Sequence, residues 1–119
     1  MLTITNLAVT LVALLHFYFM VLEMFFWDKP RGLRTFGLTR EFAQASKSLA
    51  ANQGLYNGFL VAGLVWGLYL GAHGYAIKVF FLGCVVVAGA FGGLTANRKI
   101  FFVQGLPGIV ALSLLLLFK

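Results

Sequence analysis

Charge is scarce in this chain. Asp, Glu, Lys and Arg make up 10% of its 119 residues, against roughly 25% in a soluble domain. Acids are scarcer still: three, against nine Lys and Arg. One cysteine, Cys84, sits in an apolar run, which excludes a disulfide framework and a CxxC site. With two histidines, no Cys/His metal set can be assembled. There is no HExxH, no GxSxG and no phosphate-binding glycine loop before a lysine. No cofactor and no metal is therefore expected. The net charge of +6 does not point to nucleic acid, because the basic residues are sparse and lie between apolar spans. What is abundant is hydrophobicity: 61% of residues, with mean hydropathy +0.96. The expectation is an all-α, polytopic integral membrane protein of one domain.

Four membrane spans are read, at about 4–27, 50–71, 76–95 and 100–118. The opening MLTITN has no Lys or Arg and no convincing cleavage site follows, so the first span is expected to be kept rather than removed as a signal peptide. That span ends in aromatics, and Trp27 beside Asp28 and Lys29 marks a membrane–water interface. His16 and Glu23 interrupt it seven residues apart, on one helix face that must look into protein. Residues 28–49 form the long polar loop. Pro30 and Gly32 are expected to end the first helix. Thr39 reads as an N-cap with Glu41 in the first turn. Phe36, Leu38 and Phe42 would rest on headgroups. From Arg40 one unbroken helix is read to about Gly71, about 48 Å long, so the second helix would extend into the cytoplasm.

Gly54 and Gly58, then Gly63, Gly67 and Gly71, give small residues at four-residue spacing, as do Ala88 with Gly92 and Gly89 with Gly93. Such stripes let helix backbones approach closely. Residues 72–75 form a short turn, where His73 is read as an ordinary turn residue. Lys78, near the start of the third span, is expected to snorkel. Pro107 should kink the fourth span and free a carbonyl near Gln104.

The loops set an orientation. Lys29, Arg31, Arg34, Arg40, Lys47, Arg98 and Lys99 share one side, and Lys78 and Lys119 the other. The positive-inside rule places the larger set in the cytoplasm and both termini outside. In a bacterium this would be the inner membrane. The imbalance argues against dual topology.

The polar residues within the spans form the candidate site. Ala50 to Leu60 reads AANQGLYNGFL, with three amides and a tyrosine at the start of an apolar helix. Glu23 lies roughly 6 Å inside its span, Asn57 roughly 10 Å and Gln104 roughly 7 Å. All are measured from the cytoplasmic side, so the helices bring polar groups to one layer. His16 is about 10 Å deeper than Glu23. Glu23, the one acid expected within hydrocarbon, is the candidate acid/base. Asn52, Gln53, Tyr56, Asn57, Arg98, Gln104 and His16 are the candidate ligand-binding residues, with Arg98 also a possible counter-charge for Glu23. The bland alternatives are helix-to-helix hydrogen bonds for the amides and Glu23, a satisfied core histidine for His16, and simple packing for Phe17, Phe25, Tyr56 and Trp66.

The pattern of Glu23 with Phe26-Trp27, ANQGLYNGFL at 51–60, a glycine-rich third span and QGLPG at 104–108 resembles a family of small bacterial four-helix membrane proteins, known as a domain of unknown function. The layout is more distantly similar to the MAPEG family, membrane proteins of eicosanoid and glutathione metabolism. Those form trimers and bind glutathione between subunits, through an Arg, then an Asn four residues on, then Glu and Tyr. Here Asn52 and Tyr56 keep the spacing, but Ser48 and Leu55 stand where the Arg and Glu would be. That resemblance implies the topology and a trimer more than a thiol or glutathione activity.

The functional expectation is an intramembrane polar pocket near the cytoplasmic leaflet that binds an amphiphilic or lipid-like small molecule. The protein would sit among membrane lipids as a homo-oligomer, trimer or dimer. The alternatives are a proton- or cation-coupled transporter using Glu23, a non-catalytic scaffold, and a MAPEG-like enzyme.

Overall fold

A computed structural model describes residues 3–118. Among them there is no strand. Lys119, counted in the charge balance above, lies outside the described residues. Helix α1 spans Ile4–Phe25, a run free of Gly and Pro. Thr3 starts it: its hydroxyl accepts from the Asn6 N–H at 3.1 Å and its carbonyl from the Leu7 N–H at 2.9 Å.

The polar loop holds two short helices. Pro30 does not end α1; it opens α2, Pro30–Phe36, at a first-turn position where its missing N–H and fixed φ suit a helix start. Gly32 is likewise no terminator. It is buried, and a Cβ there would run into the Phe26 carbonyl. The helix stops at Gly37, whose φ of 64° is the left-handed conformation that favours glycine. Helix α3, Arg40–Ala45, has the expected Thr39 cap: its hydroxyl accepts from the Phe42 N–H at 3.1 Å.

The second long helix, α4, spans Lys47–Tyr69, so the helix read as unbroken from Arg40 is interrupted at Ser46. Both the Ser46 N–H and its hydroxyl bond to the Phe42 carbonyl, at 3.0 and 2.6 Å. A serine side chain competing for the backbone in this way ends one helix and lets the next begin. The chain leaves α4 through Gly71, at φ 60°, into a 3-10 turn, Gly71–Gly74. Then come α5, Tyr75–Thr95, and α6, Arg98–Ile100, capped by the Asn97 side chain. A π turn, Phe101–Gly105, leads into α7, Leu106–Leu117. Pro107 accounts for that turn. It cannot donate to the carbonyl four residues back, and the helix widens just ahead of it, with the Leu106 N–H reaching to Phe101.

Three helices are long and apolar enough to cross a membrane: Ile4–Phe25, Gly71–Thr95 and Arg98–Leu117. Four were expected. Helix α4 falls short because Asn52, Gln53 and Asn57 dilute its apolar character, not because it is short. The surface suits lipid: Leu94 is 88% exposed, Leu117 76% and Phe91 68%, which would be a large apolar patch on a soluble protein.

The chain divides into two compact units, with α1 and α4 each contributing to both. One is built from residues up to Leu14 and from Ala62 onward. Its core holds Val9, Val12, Leu64, Leu82, Val85 and Ala111. The small-residue stripes act here as expected. Gly89 lies so close to Gly105 that a Cβ would overlap its backbone, and Gly108 lies against Val85. Gly63 lies under the Phe81 ring. The other unit is residues 15–61, with Leu22, Ala43, Ala50 and His16 buried. A line of ring contacts links Phe19 to Phe36 and Phe36 to Trp27, at 6.1 and 5.0 Å between centroids.

Candidate functional site

The 15–61 unit holds the larger part of the expected site. Gly54 and Gly58 bring α4 against α1 at Met20, Glu23 and Met24: a Cβ on Gly54 would lie 2.6 Å from Met24 Cγ and 3.1 Å from Glu23 Cβ. That close approach places Asn57 opposite Glu23. The Asn57 Nδ2 donates to Glu23 Oε1 at 2.5 Å. Asn57 is 5% exposed and Glu23 half-buried. An acid on one apolar helix and an amide on the next long helix therefore share a hydrogen bond.

The neighbouring polar residues of α4 are placed differently. Asn52, Gln53 and Tyr56 are exposed. Around the helix they lie beside the face that carries Asn57, on the arc away from α1. Neither Asn52 nor Gln53 bonds to another described residue. His16 is fully buried, is not without a partner, and meets the Phe19 ring edge-on at 6.2 Å between centroids. In the other unit Gln104 lies in the π turn, half-buried and with a partner, and Arg98 is exposed at the start of α6. None of these eight residues lines a cavity of about 800 Å³ that lies in the unit that includes Gln104.

Two polar contacts in the 15–61 unit had no reading in the sequence. The Trp27 indole N–H donates to Ser46 Oγ at 3.0 Å, and Lys47 Nζ pairs with Asp28 Oδ2 at 3.2 Å. Together they tie the exit of α1 to the start of α4. Lys47 beside Asp28 holds that carboxyl below the usual carboxylate range. Arg31 also reaches back from α2 to α1, its Nε donating to the Tyr18 hydroxyl at 3.0 Å. The available signal was Trp27-Asp28 at the interface facing Ser46-Lys47 in the same polar loop. It says that the two meet at one depth, not that they touch.

Comparison with known proteins adds a family and no activity. The chain is similar to an uncharacterized protein, YpaA, of Lactococcus lactis subsp. lactis (strain IL1403), with 35% identity over 104 residues, 86% of this chain and 87% of the relative. No solved structure matches. A family described as a protein of unknown function (DUF1304) matches residues 10–116, nearly the whole chain, and the protein belongs to that family.

Proposed function

We propose that this is a multi-pass membrane protein in which α4 is a fourth span, the 28–49 loop is cytoplasmic and both termini lie outside. On this reading the Glu23–Asn57 pair and the exposed Asn52, Gln53 and Tyr56 form a site for the polar head of an amphiphilic small molecule. The observation that carries it is the Glu23–Asn57 hydrogen bond beside exposed amides that bond to nothing described. In hydrocarbon a bare amide costs several kcal/mol, roughly the penalty of any unpaired buried polar group. The free amides therefore call for a cover, and a ligand head or a second copy of the chain supplies one. Glu23 would bind a cationic or hydrogen-donating head. If chemistry follows, Glu23 is the acid/base and the amides orient the substrate.

The bond also favours a second reading. Glu23 and Asn57 satisfy one another, as helix-joining groups in a scaffold would. Calorimetric titration of the detergent-solubilised protein with decylamine, decanol and decanoate, each below its micelle concentration, separates the two. The site reading expects decylamine to bind and decanoate not to. It expects Glu23→Gln to weaken decylamine by about tenfold or more, as loss of a charge-assisted hydrogen bond does. Equal binding by the wild type and Glu23→Gln would discard the site and leave the scaffold.

A further inference from the structure

The cavity of about 800 Å³ has no part in the reading above, and its lining is distinctive. Thr3, just before α1, and Thr5, Asn6 and Thr10 of α1 line one side; α5 contributes Tyr75 and Lys78. Leu68, Leu115 and Phe118 supply an apolar side. Lys78 was expected to snorkel away from the protein, yet it is 6% exposed. The reason lies in two glycines. Gly67 and Gly74 are in backbone contact, which draws the start of α5 onto the end of α4, and the Lys78 stem lies over Gly67, its Cγ 2.6 Å from where a Cβ would be. The stem is thereby held against Gly67, and Lys78 becomes part of the cavity lining.

That ammonium has no hydrogen-bond or ion-pair partner among the described residues. Thr5, 7% exposed, likewise makes no side-chain hydrogen bond among them. Two polar side chains, each more than nine-tenths buried, thus border one cavity with no partner among the described residues. A buried cation is normally paired or neutralised, because taking it out of water is expensive. No Asp or Glu among the described residues lines the cavity. Helices α1 and α5 begin there, which favours an anion, while α4 and α7 end there, which offsets it. With partial charges of both signs balanced, the full charge of Lys78 decides the field.

We infer that the Thr5–Lys78 cavity is an anion site that takes the phosphate or carboxylate head of an amphiphile. Lys78 is the counter-charge, and the Thr5 hydroxyl, with its rotatable proton, donates to the oxygens of that head, whereas the Thr10 proton is already given to the Asn6 carbonyl. The apolar side formed by Leu68, Leu115 and Phe118 is what favours an amphiphile over a free anion. The site shares no residue with Glu23 and opposes it in charge, so it stands whether or not the amphiphile reading at Glu23 survives.

The test is lipid retention by the full chain, read by native mass spectrometry after extraction from bilayers that hold equal phosphatidylglycerol and phosphatidylcholine. A parallel arm titrates soluble glycerol 3-phosphate by calorimetry. The expected result is selective retention of phosphatidylglycerol, reduced by about tenfold in Lys78→Met, as loss of a charge-assisted contact implies, and partly kept in Lys78→Arg. Should Lys78→Met fail to fold, Thr5→Val, which keeps shape and removes the hydroxyl, is expected to weaken retention by a smaller factor. Binding of glycerol 3-phosphate that depends on Lys78, without lipid selectivity, would keep the anion site but overturn the amphiphile as its occupant. Neither lipid selectivity nor glycerol 3-phosphate binding, with Lys78→Met folded and indistinguishable from wild type, would overturn the site itself.

Discussion

The Glu23–Asn57 bond makes a claim that a double-mutant cycle can measure. It joins two helices, and one partner, Asn57, is 5% exposed. Interhelical hydrogen bonds in membranes couple by about 0.6 kcal/mol on average and about 1.7 at most. Hydrogen bonds to charged groups in soluble proteins contribute about 1.5–3 kcal/mol. A bond with a buried donor and a carboxyl acceptor belongs above the membrane average, so a coupling of about 1.5 kcal/mol is expected.

The perturbations are Glu23→Leu, Asn57→Leu and the pair together, in bicelles, with unfolding by sodium dodecyl sulfate followed through far-ultraviolet circular dichroism. Asn57→Leu strands a half-buried carboxyl, and Glu23→Leu strands a buried amide, so each single change carries a desolvation penalty. The double variant removes both penalties and places two leucines in contact. It should lose less stability than the two singles summed, by the coupling energy. Coupling below about 0.5 kcal/mol would refute the reasoning, since that is the scatter expected of independent sites. Glu23→Gln keeps an acceptor oxygen for Asn57 and should be the mildest change in this assay. The same variant is the one expected to lose decylamine. A site and a mere helix link therefore part company at that one substitution.

Two further expectations follow from the packing and the loop. Gly89→Val should destabilise by about 3 kcal/mol, because its Cβ meets the Gly105 backbone, which cannot step aside; Gly83→Ala, with open space at its Cβ, should stay within about 0.5 kcal/mol in the same assay. Asp28 has its folded pKa depressed by Lys47, so its contribution is whole above the ordinary carboxylate value of about 4 and is lost as pH falls through the lower folded value. Thermal midpoints taken between pH 7 and pH 3 should decline less steeply in Asp28→Asn than in wild type; parallel curves would show that the pair contributes nothing.

What the sequence makes legible here is set by what each signal encodes. Four-residue glycine spacing encodes close approach, and Gly54, Gly63 and Gly89 each have a neighbour where a Cβ would go. It does not encode the neighbour, so the Lys78 stem lying over Gly67 was out of reach. Gly71 shares the spacing but ends a helix at positive φ, a job that glycine does equally well. Pro30 is ambiguous for a similar reason, since proline both stops a helix and starts one, and here it starts α2. Thr39 was readable because a cap is local: hydroxyl and N–H lie three residues apart. The depth argument put Glu23, Asn57 and Gln104 in one layer by the rise per residue, and named no pair among them; the bond joins Glu23 to Asn57. It said nothing of azimuth, which is why Asn52, Gln53 and Tyr56 share that layer but lie on the exposed arc.

Azimuth is also what makes α4 the helix on which the rest depends. Its second half, Phe59 to Tyr69, is apolar and resembles any membrane span, while its first half carries the amides. If α4 crosses the membrane, Asn57 is already satisfied by Glu23, and the adjoining arc away from α1, with Asn52, Gln53 and Tyr56, is left facing outward. An outward polar arc at that depth is unstable in lipid by several kcal/mol, roughly the sum over its unpaired amides. It must lie in the headgroup layer, meet a second chain, or hold a ligand. The Lys47–Asp28 and Trp27–Ser46 contacts bear on this choice, because they anchor the start of α4 to the end of α1, where Trp27 marks the interface. Asn52 is then about one and a half turns, about 9 Å, past that anchor and Tyr56 about 15 Å past the same Ser46. Headgroups reach the first of these depths and not the second. Asn52 can be solvated from the interface, whereas Tyr56 and Asn57 need protein or ligand around them, and the search for whatever covers α4 belongs at Tyr56.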